Sequence, residues 1–259
     1  MTTFLLGNII FGPVKSRRLG TSLGVNILPS NRKICTFDCV YCECGFNKDG
    51  NNTSNKFPKR KDVQKALENR LEKMQENNEY LDTITFSGNG EPTLHPEFRE
   101  IIEDTIVLRD KYYPETKISV LSNSTTISNP SVFRALKKVD NNILKLDATL
   151  NPLINSIDQP VSENFNIDRL VHDLKKFDGD LIIQTIFIRG KNGDESVDNT
   201  SPENVNRWIE LIEEIHPKQV MIYSLDRETP SKTLEKVSKK ELEMIADKIR
   251  ELNISVVVA

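Results

Sequence analysis

Short apolar runs recur along this chain, and a stretch with helical spacing separates each from the next. The runs are SLGVNILP, TITFSG, KISVLSN, NILKLDATL, LIIQTIFIRG, QVMIYSLD and a closing ISVVVA. Between them lie segments such as DVQKALENRLEKMQENN, where Val63, Leu67, Leu71 and Met74 share one helical face. Boundary signals agree with that division. Pro96 opens HPEFREIIEDTIVLRDKY, Asn129 and Ser201 are placed to cap helices with proline behind them, and Ser238 with Glu241 has capping-box spacing. Strands that alternate with helices pair in parallel, because each crossover helix returns the chain to the same end of the sheet. Roughly six such units fit a doubly wound sheet or a full or partial (β/α) barrel.

Both architectures put their chemistry at the carboxyl ends of the strands. The unusual residues collect there. SGNGEPT follows TITF, SNSTT follows KISVL, DAT follows NILKL, RGKNG follows LIIQTIFI, and DRETP follows QVMIYSL. All four cysteines fall just after the first strand, in CTFDCVYCECG from Cys35 to Gly45. A polar stretch, CGFNKDGNNTSNKFPKRK, then reads as a surface loop.

Thiols packed this closely suit one ion or one cluster better than bridges between distant elements. A chain of 259 residues needs no covalent staples, and no apolar run is long enough to span a membrane. The N-terminus lacks the charged region of a secretory signal, so a cytoplasmic location is expected, where thiols stay reduced. Zinc normally takes two separated ligand pairs, and His95, His172 and His216 are dispersed; Cys44 can still complete a compact zinc knot. Three thiolates can instead hold three irons of a cubane and leave the fourth open. A net charge of -3 counts against a broad nucleic-acid surface, although it leaves room for a local basic pocket.

CTFDCVYC resembles the C-x3-C-x2-C signature of the radical S-adenosylmethionine (radical SAM) enzymes, including the aromatic Tyr41 before the third cysteine. GNGEPTLHP, from Gly88 to Pro96, is similar to that superfamily's Gly-Gly-Glu-Pro turn after the second strand, with Asn89 between the glycines. GPVKSRRLGTSLGVNILP and YSLDRETP resemble the branch that includes the wyosine-forming tRNA enzymes. The likeness runs through nearly the whole chain in the right order. It implies an α/β fold, a partial (β/α)6 TIM-like barrel of parallel strands in a single domain over 1–259. Residues 1–30 would form the N-terminal extension and first strand, 31–60 the cluster-binding loop, and 61–259 the repeated helix/strand units.

The resemblance further implies that Cys35, Cys39 and Cys42 bind a [4Fe–4S] cluster. S-adenosylmethionine would chelate the open iron and be cleaved reductively to a 5′-deoxyadenosyl radical that abstracts hydrogen from a substrate. Gly88, Asn89, Gly90 and Glu91 are the expected cofactor turn, with backbone carbonyls or Glu91 accepting from the methionyl ammonium. Ser122, Asn123, Lys145 and Asp147 are candidates for the ribose and amino-acid ends. Period-two alternation in NILKLDAT turns Leu144 and Leu146 toward the outer helices and Lys145 and Asp147 the other way. A mutual salt bridge is the plain alternative for that pair. Arg17, Arg18, Gln184, Asp226 and Arg227 are substrate-side candidates, the arginines being able to clamp a carboxylate or phosphate or simply to form surface ion pairs. No catalytic side chain stands out. Cys44 reads as a bystander or a thiol beside the cluster, and Phe37 and Tyr41 as a shield or as packing.

A one-electron reductant such as flavodoxin or ferredoxin is the expected partner, with a small molecule, peptide or protein as substrate. No thiol lies outside 35–44, so a second cubane with a full ligand set cannot be built from these residues. That departs from the wyosine-type pattern. A tRNA-modifying enzyme, a protein-radical-activating enzyme, an iron–sulfur electron carrier and a zinc-binding module remain the alternatives. The glycine turn and the polar strand ends count against the last two, neither of which needs an adenosylmethionine pocket.

Overall fold

A computed structural model of the chain describes residues 4–47, 56–226 and 229–259. Its main sheet has eight strands in the order β1-β2-β3-β4-β5-β6-β9-β11. These are β1 (Ile10–Ser16), β2 (Gly20–Val25), β3 (Thr83–Phe86), β4 (Lys117–Ser122), β5 (Asn141–Lys145), β6 (Ile182–Ile186), β9 (Gln219–Tyr223) and β11 (Ser255–Val258). From β2 to β11 every pairing is parallel. The sheet curls into a half-barrel, as the alternation of elements and the resemblance imply. Helices α1 (Arg60–Glu76), α2 (Phe98–Tyr112), α3 (Pro130–Leu136), α4 (Asn151–Ile157), α5 (Ile167–Lys175), α6 (Pro202–Ile215) and α7 (Lys239–Arg250) run between the parallel strands. The caps expected at Asn129 and Ser201 and the capping box at Ser238 are all formed.

Two layers of apolar packing follow from the period of the strands. Outward residues such as Leu144, Ile183 and Val220 join Leu67, Leu71, Ile102, Trp208 and Ile249 of the helices in one continuous core. On the inner face Ile143, Ile182 and Met221 meet Leu19, Leu121 and Val257 and close the half-barrel from below. Further up that face come Asn123, Lys145 and Gln184, with Gln184 level with Met221, and Tyr223 one step beyond, level with Ile186. The apolar floor thus carries a polar layer on top of it.

Three features depart from the sequence-based expectation. First, IFGPVKS forms an antiparallel strand on β2 despite its Gly-Pro pair. An edge strand tolerates proline, and the register shifts between Phe11 and Val14 to absorb it. Second, LIIQTIFIRG is not one strand. It breaks at Phe187, and β7 (Ile188–Asn192) leaves to join β8 (Glu195–Asp198) and β10 (Leu234–Lys236) in a separate three-stranded sheet. The fully buried Asn199 amide fixes the break: its Nδ2 donates to Ile186 O (2.7 Å) and Asp147 O (2.8 Å), and its Oδ1 accepts from Ile188 N (2.8 Å). Third, α2 begins at Phe98, two residues beyond Pro96, and α4 adds a short helix after β5.

Trp208 joins helix layer to sheet. It is fully buried, meets Phe187 edge-on at 5.3 Å, and donates from Nε1 to Thr185 Oγ1 (3.1 Å). Trp208→Ala is expected to lower the unfolding free energy by about 3–5 kcal/mol. Urea titration followed by far-UV circular dichroism checks this, since the substitution removes the chain's single tryptophan.

Candidate active site at the carboxyl ends of the strands

The cysteine loop leaves β2 and is clamped from two sides. Toward β3, Ile34 N donates to Asn89 O and Glu91 N donates to Ile34 O, both at 2.9 Å. Toward α4, Asp38 N donates to Asp158 O (3.0 Å) and Val40 N to Ile157 O (2.9 Å). Inside the loop Cys42 N reaches Cys39 O and Gly45 N reaches Cys42 O, each at 3.0 Å. Asn47 closes it, accepting from Cys35 N (2.9 Å) and donating to Cys35 O (3.0 Å) and Asp38 Oδ1 (2.9 Å). Beneath lies Lys33, its side chain only 1% exposed, with Nζ donating to Gly45 O (3.0 Å) and lying 3.4 Å from Asp38 Oδ1. Burial works against its charge. The sulfurs of Cys42, Cys35 and Cys39, together with Asp38, outweigh it and raise the pKa.

Each thiol has its own surroundings. Asn123 Nδ2 donates to Cys35 Sγ at 3.4 Å. Lys145 Nζ donates to Cys39 Sγ at 3.0 Å, and the Cys39 thiol lies 3.6 Å from Asp158 Oδ1. Cys44 Sγ donates to Gly88 O at 3.4 Å. Burial pushes the Cys35 thiol up to about 11 and raises Cys39 further. A bond from the Cys44 thiol lowers Cys42 against its burial, and the same bond raises Cys44. Cys44 therefore serves Cys42 and the turn after β3.

That turn is built for the loop. A Cβ on Gly90 would come within 1.9 Å of Ile34 O, at a φ of +126° that disfavours any side chain, and one on Gly88 would meet Asn26 Oδ1 at 2.2 Å. The Asn89 amide donates to Leu6 O (3.0 Å) and Pro29 O (2.8 Å) and accepts from Leu6 N (2.8 Å). Glu91 is buried, accepting from Thr93 N (3.1 Å), Thr93 Oγ1 (2.5 Å) and Asn123 N (2.6 Å). Burial raises its pKa, and the Asn123 and Thr93 donors pull the other way. Both glycines thus make room for the chain itself, while Asn89 and Glu91 tie three segments together. Ser122 Oγ accepts from Ser124 N (3.1 Å), completing the turn after β4.

Lys145 and Asp147 share one buried network. Lys145 Nζ lies 3.3 Å from Asp147 and 3.4 Å from Asp158, over the rings of Tyr41 (4.9 Å) and Phe37 (5.5 Å). Asp147 also accepts from the Tyr41 hydroxyl and from Ile186 N (3.0 Å). Burial opposes the ammonium, but the Cys39 sulfur and both carboxylates raise its pKa well above the usual lysine value. Burial and the neighbouring Asp147 raise Asp158 to about 7, against the pull of Lys145. A gap with room for about one water molecule lies beside this network, lined by Phe37, Lys145, Asp147, Asp158, Phe165 and Ile167 among others.

Of the substrate-side candidates, Arg17 pairs with Asp226 at 3.4 Å, both about half exposed. Arg18 turns inward and stacks on Tyr223, its guanidinium carbon 4.3 Å from the ring centre. Gln184 is half-buried on the inner face beside Lys145, and Arg227 lies outside the described residues. Sequence reasoning missed Lys33, Asn47, Asp158 and Tyr223. No signal marked Asp158, which belongs to no motif. A lysine two residues before a cysteine run was the one available hint for Lys33.

The donor set fits an iron–sulfur cluster. The soft thiols of Cys35, Cys39, Cys42 and Cys44 share one loop, with no histidine among them. A model described as the radical SAM superfamily matches residues 33–152. A UPF0026 protein of Helicobacter pylori is 30% identical over 236 residues, which is 90% of this chain and 71% of that protein. The chain belongs to the radical SAM superfamily, among the UPF0026 proteins. Radical SAM enzymes use a [4Fe–4S] cluster and S-adenosylmethionine, and an enzyme of this class is what the half-barrel houses. Similar solved folds include SuiB of Streptococcus suis bound to S-adenosylmethionine, with a TM-score of 0.64, 16% identity, and 91% of this chain against 50% of SuiB. TYW1 with a lysine-pyruvate adduct gives a TM-score of 0.60 at 17% identity, covering 90% of this chain and 75% of TYW1. At such identities these two speak for the fold alone.

Glu91→Ala is expected to destabilise the protein by about 2–4 kcal/mol even without cofactor, because it strands buried N–H donors. Denaturant unfolding of the cluster-free protein measures it. An unchanged midpoint would return Glu91 to the cofactor.

Proposed function

We propose that Cys35, Cys39 and Cys42 hold the [4Fe–4S] cluster of a radical SAM enzyme whose substrate enters the half-barrel from its inner face. The observation that carries this reading is the fate of the fourth thiol. Cys44 Sγ donates to Gly88 O, which turns the fourth thiol toward the turn after β3 and leaves three for a cluster with an open iron position. When bound, the cluster and S-adenosylmethionine supply a one-electron cleavage that yields an adenosyl radical for hydrogen abstraction.

The chain's own residues bind, orient and compensate charge. Asn123 donates to the Cys35 sulfur and so restrains that ligand and draws charge from it. Lys33 places a buried positive charge under the loop, and Lys145 places another beside Cys39. Lys145 and Asp147 stand ready for the carboxylate and ribose of the cofactor, and the Lys145–Asp147 pair holds the two charges until a ligand replaces it. The Gly88–Glu91 turn acts through backbone carbonyls, since Asn89 and Glu91 are already engaged.

A small molecule or a peptide suits the net charge of -3 better than a nucleic acid. A flavodoxin- or ferredoxin-like reductant is the implied electron source, in the cytoplasm, where thiols remain reduced. No helix among the described residues is long and apolar enough to cross a membrane.

Anaerobic reconstitution with iron and sulfide, followed by reduction with S-adenosylmethionine present, is expected to release 5′-deoxyadenosine. Cys39→Ala should abolish both the cluster spectrum and the product, while Cys44→Ser should keep the cluster. A zinc-loaded protein that assembles no cluster would sink the reading. Lys33→Met is expected to lower the cluster's reduction potential by roughly 100 mV, on the order of one nearby charge at an effective dielectric of about 20. Protein-film voltammetry or a redox titration followed by electron paramagnetic resonance reads that shift.

A further inference from the structure

The inner face of the half-barrel holds one charged group that the cofactor machinery does not use. Arg18 occupies the turn between β1 and β2, where Ser16 Oγ accepts from both Arg18 N (3.3 Å) and Leu19 N (3.2 Å). That turn drops Leu19 into the apolar floor with Ile143, Ile182 and Met221. With Leu19 anchored, the Arg18 guanidinium lies over the Tyr223 ring, its carbon 4.3 Å from the ring centre. Its NH1 nitrogen is shut off from solvent and donates to nothing among the described residues.

An arginine cannot shed its proton to relieve such a position. The nearby carboxylates are committed elsewhere. Asp147 serves Lys145, Tyr41 and Ile186 N, Asp158 serves Lys145, and Asp226 pairs with Arg17 and Lys236. Gln184 lies on the same inner face, paired in register with Lys145 and Met221 and one step below Tyr223, with no side-chain hydrogen bond among the described residues. A planar donor fork, an amide and an aromatic wall thus stand over an apolar base. Polar groups over an apolar base are what a small-ligand site uses.

We propose that Arg18, stacked on Tyr223, receives an oxyanion of the substrate, so that the substrate class is a small molecule or peptide bearing a carboxylate or phosphate group. The proposal rests on the radical SAM reading for where the substrate lies, but the anion site can be measured separately. Arg17 has no part in it, because its ion pair with Asp226 holds it at the rim.

The reconstituted protein is titrated with succinate in one arm and inorganic phosphate in the other, by isothermal calorimetry. One anion is expected to saturate, with affinity at least about tenfold weaker in Arg18→Met, as a charge-assisted fork implies. Arg18→Lys separates the two sources: a lysine keeps phosphate binding as a point charge and loses the bidentate grip on a carboxylate. A measurement on the unsubstituted protein covers the case in which the variants do not fold. Phenylglyoxal labelling of Arg18, mapped by mass spectrometry, should be suppressed by the anion that binds. The proposal is overturned if neither anion saturates, if Arg18→Met binds as the parent does, or if labelling is indifferent to both anions. Release of 5′-deoxyadenosine by the parent protein alongside any of those results would leave the radical SAM reading standing without this site.

Discussion

The packing of the cysteine loop against the turn after β3 is the contact on which the rest of the site depends. Ile34 and the Asn89–Glu91 backbone bond each other as two neighbouring strands would, and only a glycine at position 90 permits that approach. Once the contact is made, Glu91 is carried inward to bind Asn123, and Asn123 is brought to the Cys35 sulfur. The opposite end of the loop reaches α4 and thereby Asp158, Lys145 and the Cys39 sulfur. Two short clamps therefore convert a polar loop into a rigid frame for three thiols.

Charge is distributed through that frame in a consistent way. Two ammonium groups, the buried Lys33 and the largely buried Lys145, flank the sulfurs, and Asp38, Asp147 and Asp158 balance them. Burying so many ions is costly unless each is paired and hydrogen-bonded. Here the pairing is nearly complete, and the site is held together electrostatically before any ligand arrives.

Much of this was legible in the residues themselves. Strand and helix periodicity located the sheet and most caps, because those signals are local. The three spaced cysteines and the glycine turn stood out because few other arrangements need them. What stayed hidden was set by contacts between distant segments. Gly88 and Gly90 announced a close approach, but only the fold shows that Asn26 and Ile34 are what approaches. Lys145 and Asp147 fell on the predicted face, whereas Asp158 reaches them from a helix end with no periodicity of its own. The break at Phe187 was invisible because Asn199, twelve residues later, takes over the hydrogen bonds a continuing strand would have made.

The turn from Ser16 to Gly20 has an evolutionary consequence. It supplies the floor through Leu19 and an inward side chain through Arg18, yet it contributes none of the groups around the thiols. On the proposal made for Arg18, substrate recognition draws on this turn, while the groups around the thiols come from the cysteine loop, the turn after β3 and the end of β5. A few changes in one hairpin can redirect such an enzyme to a new compound while its reactive machinery is inherited intact. A lineage built this way can diversify its substrates faster than its chemistry.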